Sequence, residues 1–176
     1  MLRKFYPREQ QPSAYTIDYE GMWQKGFRGI LFDIDNTLVP HGAPATPEAE
    51  ALFQRLHRMG FGTCLISNNH LPRVEPFARA VDSAWICDAH KPSVRGYQEA
   101  MEQLGTSRED TLFVGDQLFT DVYGANRAGL YTILVSPIHP KEEIQIVLKR
   151  FLEKPVLYFY KRNHRGQCGR GLRRAE

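Results

Sequence analysis

Short apolar runs alternate with helical stripes along most of this chain. Gly29-Ile30-Leu31-Phe32-Asp33 shows no polar alternation and reads as a strand buried on both faces. Thr46-Pro47-Glu48 then supplies an N-cap, a proline at the first helical position and an acid in the first turn. Behind it, Ala49, Leu52, Phe53, Leu56 and Met59 recur at helical spacing until Gly60 ends the run. The same pattern predicts strands at Phe61–Ile66, Ala84–Cys87, Thr111–Gly115 and Tyr131–Val135. Helices are predicted over Pro72–Ala80, along Val94, Tyr97, Met101 and Leu104, over Leu118–Ala128, and along Ile144, Val147, Leu148 and Phe151.

Strands alternating with helices predict an α/β fold, a mainly parallel sheet with helices on both faces. Residues 29–153 carry this pattern. Residues 1–28 and 154–176 lack a clear period and read as an N-terminal arm and a C-terminal tail. A chain of 176 residues is long enough for one domain with a proper core. At 42% hydrophobic and 24% charged residues, wholesale disorder and fibrous repeats are excluded. No run approaches the ~18 apolar residues of a transmembrane helix. The opening MLRKFYPREQQP lacks the apolar stretch of a secretory signal. Cys64, Cys87 and Cys168 are far apart and odd in number, so neither a disulfide framework nor a zinc site is expected. A cytoplasmic setting fits these features.

The net charge of +3 hides an asymmetry. Residues 149–176 hold nine Lys and Arg residues against Glu153 and Glu176. The remainder is mildly acidic. A basic tail on an acidic body predicts an anionic surface as partner. Within the tail, Val156-Leu157-Tyr158-Phe159-Tyr160-Lys161-Arg162 sets aromatics beside cations, as interfacial segments do.

In parallel α/β sheets, ligands sit at the carboxyl ends of the strands. There the first strand ends in Asp33-Ile34-Asp35-Asn36-Thr37 and the second in Ser67-Asn68-Asn69. Lys91 precedes Pro92 in the next loop, and Gly115-Asp116 closes another strand with Asp121 five residues on. Close carboxylates repel one another, so a cation is required among them. Oxygen-only ligands favour Mg²⁺ over zinc or copper. Metal, lysine, serine hydroxyl and backbone amides together describe a site for a phosphate-sized dianion. One carboxylate can then serve as nucleophile and another as acid and base.

These four stations, in order, resemble the motifs of the haloacid dehalogenase superfamily of phosphatases. More narrowly, Asp33-Ile34-Asp35-Asn36-Thr37-Leu38-Val39, Ile66-Ser67-Asn68-Asn69 and Val114-Gly115-Asp116-Gln117-Leu118-Phe119-Thr120-Asp121-Val122 resemble its subclass IIIA branch, the YqeG and phosphatidylglycerophosphate phosphatase type. Lys4-Phe5-Tyr6-Pro7 is similar to that branch's opening segment. The resemblance implies a three-layer Rossmann-like fold. It makes Asp33 the nucleophile and Asp35 the acid and base. It assigns the metal to the Asp33 and Asp116 side chains and the Asp35 carbonyl, with Asp121 in support. It assigns phosphate to Ser67 and neighbouring amides, with Asn68 close by, and charge balance to Lys91.

Spacing adds to this. Asp35 and Ser67 are 32 residues apart, and Ser67 and Lys91 are 24 apart. Neither interval has room for a cap domain, so the site is expected to be open and to suit a bulky or surface-presented substrate. The expected substrate is a phosphomonoester, preferably a lipid phosphate such as phosphatidylglycerophosphate, met at the inner membrane face through peripheral contact of the basic tail. Two rival readings stand beside it. One is a soluble phosphatase for nucleotides, sugar phosphates or nucleic-acid ends. The other is an RNA- or ribosome-binding module with a vestigial phosphate site, which the intact Asp33 and Asp35 argue against. His70 and His90 adjoin the motifs without an assigned role.

Overall fold

The computed structural model describes residues 2–139 and 153–162. Six strands form one sheet: β1 (Glu9–Gln11), β2 (Gly29–Phe32), β3 (Gly62–Ile66), β4 (Ala84–Ile86), β5 (Thr111–Gly115) and β6 (Tyr131–Val135). Their order is β1-β6-β5-β2-β3-β4, and each neighbouring pair is parallel. The sheet and helices match the expected α/β architecture. Every residue of β2 and β5 is buried, as their unbroken apolar runs require.

Alternation along the strands splits the core between two faces. Ile30, Phe32, Leu65 and Val114 point to the face covered by α1 (Tyr19–Gln24), α2 (Pro47–Met59) and α3 (Leu71–Ala80). Leu31, Cys64, Ile66 and Phe113 point to the face covered by α4 (Arg95–Leu104) and α5 (Tyr123–Ala128). The capping signals act as read: Thr46 accepts from the Ala49 amide, and Gly60 ends α2 at φ 97°. Only α2 and β3 lie between Asp35 and Ser67, and only α3 and β4 between Ser67 and Lys91. Neither interval contains an inserted domain.

Three features differ from the expectation. The segment before residue 28, expected as an arm, is woven into the domain. β1 pairs with β6, and Ala14, Ile17, Tyr19, Met22 and Phe27 join the core. The strand Glu9-Gln10-Gln11 is polar, three residues long and at the sheet edge, so it has no apolar period to detect. The helix expected over Leu118–Ala128 is instead a π-helical turn, Leu118–Val122, followed by α5. Residues 153–162, all but the first expected as the start of a tail, form a helical segment packed on the domain. Its Val156 packs with Leu118, Val122 and Leu134, and its Tyr160 ring meets Tyr6 edge-on at 5.4 Å. The helix expected at 144–151 lies outside the described residues, as does Cys168. Cys64 and Cys87 are free thiols.

Candidate active site

Neighbouring strands β5, β2 and β3 bring Asp116, Asp33 and Ser67 to one edge of the sheet. Asp33 follows β2 and is buried. Its Oδ1 accepts from Lys91 Nζ at 2.5 Å, and its Oδ2 accepts from Thr37 Oγ1 at 3.2 Å. Thr37 also reaches Asp116 Oδ1 at 3.4 Å, so its hydroxyl bridges two carboxylates. Asn36 takes the left-handed conformation, φ 64°, in a turn where its amide meets the Val39 carbonyl at 2.7 Å.

Asp121 reaches the cluster because of the π-helical turn. The Val122 and Asp121 amides both donate to the Gln117 carbonyl, each at 3.1 Å. This widened turn lets Asp121 Oδ2 accept from the Gln117 amide at 3.1 Å while Oδ1 accepts from Lys91 Nζ at 2.7 Å. Such turns recur at functional sites because they re-aim one side chain without ending the helix. Gly115 makes room for it. A Cβ there would lie 2.7 Å from Asp121 Oδ2 and from the Phe113 ring.

Lys91 is thus sealed between two carboxylates, with its side chain 4% exposed. Burial by itself would push its ammonium down, but the Asp121 and Asp33 charges outweigh that and hold it above its ordinary range. Asp33 moves the other way from the usual paired acid. Burial, helped by the Asp121 and Asp35 charges, pushes its carboxyl up to about 6 against the pull of Lys91.

Asp33, Asp116 and Asp121 each offer an oxygen within 4.8 Å of the others, and all three are buried. Lys91 is bonded to two of the three, Asp33 and Asp121. Buried carboxylates that converge on one point favour a divalent cation among them. An all-oxygen donor set suits a hard divalent cation, so these residues fit a metal of that kind.

Asp35 belongs elsewhere. Its side chain turns away from the cluster. Its Oδ1 accepts from the Gly42 amide and from Arg73 Nη2, both at 2.8 Å, and its Oδ2 accepts from Asn69 Nδ2 at 2.6 Å. The carboxylate of Asp35 is therefore not part of the acidic triad. Arg73 was missed in the sequence, although one signal was there. It is a cation in the first turn of α3, where the helix dipole disfavours positive charge.

Ser67 Oγ accepts from the Asn69 amide at 3.1 Å, which shapes the loop after β3. Asn68, expected beside phosphate, has its side chain engaged by the Lys91 backbone. Its Oδ1 accepts from the Lys91 amide at 2.6 Å, and its Nδ2 donates to the Lys91 carbonyl at 3.2 Å. A planar amide matches both backbone groups of one residue, so its role here is to position Lys91. His70 pairs with Asp88 at 2.6 Å on the rim. His90 sits at φ 50° beside Lys91 and lines a separate cleft with Cys87 and Glu99.

Residues 40–129 match the family of haloacid dehalogenase-like hydrolases. A Bacillus subtilis protein described as a probable phosphatase, YqeG, is 34% identical over 164 residues, covering 92% of this chain and 95% of that one. The chain belongs to the haloacid dehalogenase-like hydrolases. Like its relatives in that family it is a phosphatase. The family match begins beyond the Asp33–Thr37 loop and spans Ser67, Lys91, Asp116 and Asp121. Phosphatidylglycerophosphate phosphatase 1 of Arabidopsis thaliana is 30% identical over 158 residues, and the chain spans 45% of that protein's length. The fold is shared with the cobalt-bound deoxy-D-mannose-octulosonate 8-phosphate phosphatase of Haemophilus influenzae. That likeness has a TM-score of 0.50 at 12% identity and covers 76% of this chain and 89% of the other.

Proposed function

We propose that this phosphatase is Mg²⁺-dependent, works through an aspartyl-phosphate on Asp33, and acts on a phospholipid headgroup monoester such as phosphatidylglycerophosphate. The observation that carries the chemistry is the buried triad Asp33, Asp116 and Asp121 with Lys91 bonded to two of its members. Asp33 Oδ attacks phosphorus in line, and the bond from phosphorus to the alcohol oxygen breaks. Asp35, two residues on, gives its proton to that oxygen. It then takes a proton from water, whose oxygen attacks phosphorus and breaks the bond to Asp33, releasing phosphate. Lys91 holds the nucleophile and balances charge. Ser67 and the amides of its loop receive the phosphate oxygens. Mg²⁺, held by the triad and the Asp35 carbonyl, would neutralise charge on the transferring group.

Three observations support a lipid substrate. Relatives named as phosphatidylglycerophosphate phosphatases align over most of the chain. Among the described residues no inserted domain covers the site. The 153–162 segment exposes Tyr158 and Phe159 next to the exposed cations Lys161 and Arg162, a composition that suits an anionic interface. Among the described residues no helix is long and apolar enough to cross a membrane, so contact at the cytoplasmic face would be peripheral.

The test is a panel of phosphate-release assays with and without Mg²⁺. It includes phosphatidylglycerophosphate in mixed micelles, nucleotides and sugar phosphates. Preference for the lipid, lost on chelation, is expected. Faster turnover of a soluble phosphomonoester would reject the lipid. Salt-dependent RNA binding without turnover of any phosphomonoester would reject the enzymatic reading.

A further inference from the structure

Beyond the acidic triad, a cavity of about 190 Å³ opens from Asp116 toward the 153–162 segment. Its lining includes Gln10 of β1, Leu134 of β6, and Glu153, Leu157 and Lys161 of that segment. Leu157 and Lys161 are four residues apart, so one helical face presents both to the same space. Among the described residues of the lining Lys161 is the one cation, and its ammonium has no hydrogen bond or ion pair with any described residue.

The wall is fastened to the catalytic machinery. Buried Glu153 accepts from the Leu118 amide at 2.8 Å, at the start of the π-helical turn that carries Asp121. Val156 and Tyr160 bury themselves against the domain. The segment that delivers Lys161 is therefore held in register with the site. The lining sets apolar Leu134 and Leu157 beside the Lys161 ammonium and the polar strand Gln10-Gln11. Apolar walls with a few placed polar groups are the usual make-up of a small-ligand pocket.

We propose that this cavity is the subsite for the alcohol half of the substrate, and that Lys161 binds a second anionic oxygen group carried on it. The ligand class is a phosphomonoester whose alcohol bears a phosphodiester or carboxylate a few bonds away. This rests on the phosphomonoesterase reading above and adds which part of the substrate is recognised, and by what. Such a group occurs in a glycerophospholipid headgroup and equally in a water-soluble diester.

The experiment uses the full chain with Mg²⁺ and three substrates: phosphatidylglycerophosphate in mixed micelles, its deacylated headgroup, and glycerol 3-phosphate. The readout is the ratio of kcat/KM for the deacylated headgroup to that for glycerol 3-phosphate. Lys161→Met is expected to lower this ratio at least tenfold, mainly through KM, and Lys161→Arg to keep it. An unchanged ratio, or equal losses on all three substrates, overturns the subsite. If the lipid is not turned over but the ratio still falls, the lipid reading fails and the subsite stands. Binding of glycerophosphoglycerol, which carries the diester and no monoester, gives a readout independent of turnover. Its dissociation constant by NMR titration should rise at least tenfold in Lys161→Met, and an unchanged constant overturns the proposal.

Discussion

Asp33 and Asp35 are two residues apart in sequence and face different surroundings. Asp33 points into the sheet edge, among two other buried acids, a sealed ammonium and a threonine hydroxyl. Asp35 points toward the start of α3, where a backbone amide, an asparagine and a partly exposed guanidinium hold it. Their cations differ in the same way. The Lys91 side chain is 4% exposed and that of Arg73 22%. A fixed ammonium in a dry pocket holds charge at one place. A guanidinium at the mouth holds a carboxylate by geometry and still meets solvent. One strand end thus supplies two acids with separate jobs, because their side chains meet different partners.

The largest expected effect breaks the phosphorus side. Asp33→Asn should lower kcat by on the order of 10⁴-fold or more on every substrate, since the attacking oxygen is lost. The amide has the same shape, so the melting temperature should stay close to that of the parent. Retention of most activity would reject the nucleophile. Asp35→Asn should be selective by contrast. Loss of a general acid and base removes roughly 10²–10⁴-fold. The loss should be larger for an alkyl phosphate, whose leaving oxygen needs the proton, than for an aryl phosphate, whose oxygen leaves without it. Equal losses on both would merge the two roles. Next in size is Lys91→Met, which leaves Asp33 and Asp121 buried without their cation. Urea unfolding should show about 3–5 kcal/mol of lost stability, smaller when a divalent cation is present.

Much of this was legible in the sequence, for a physical reason. Strands buried on both faces write continuous apolar runs, and Thr46-Pro47 and Gly60 mark the ends of α2 by backbone chemistry alone. Chemistry confined to strand ends made Asp33, Ser67, Lys91 and Asp116 visible as candidates. What was hidden depends on three-dimensional approach. β1 is polar and short, so its place beside β6 follows from pairing and from no pattern of its own. The π-helical turn at Asp121 arises from one extra residue in a turn that otherwise reads as α-helix. Asn68 looked like a phosphate ligand because it follows Ser67, yet its amide spans the backbone of a residue 23 positions on. Glu153 and Lys161 fell within or beside an aperiodic basic tract, where the burial of Val156 and Tyr160 gave no stripe long enough to detect.

The smallest expected effect sharpens the leaving-group side. Arg73→Met removes one of the three donors that hold Asp35 and leaves the Gly42 amide and Asn69 in place. Because this ion pair is largely buried but leaves Asp35 two other donors, its loss should cost about 1–3 kcal/mol of stability, less than that of Lys91. The effect should appear in kcat, roughly tenfold, as a misplaced acid protonates the leaving oxygen less often. It should follow the leaving group as Asp35→Asn does, strong on alkyl and weak on aryl phosphates. Arg73→Lys keeps the charge and loses the fork, so it should recover part of the rate at most. The combined Arg73→Met and Asp35→Asn variant should be no slower than Asp35→Asn alone, because Arg73 acts through that carboxylate. Additive losses in the double variant would separate Arg73 from Asp35 and give the guanidinium a direct contact with substrate.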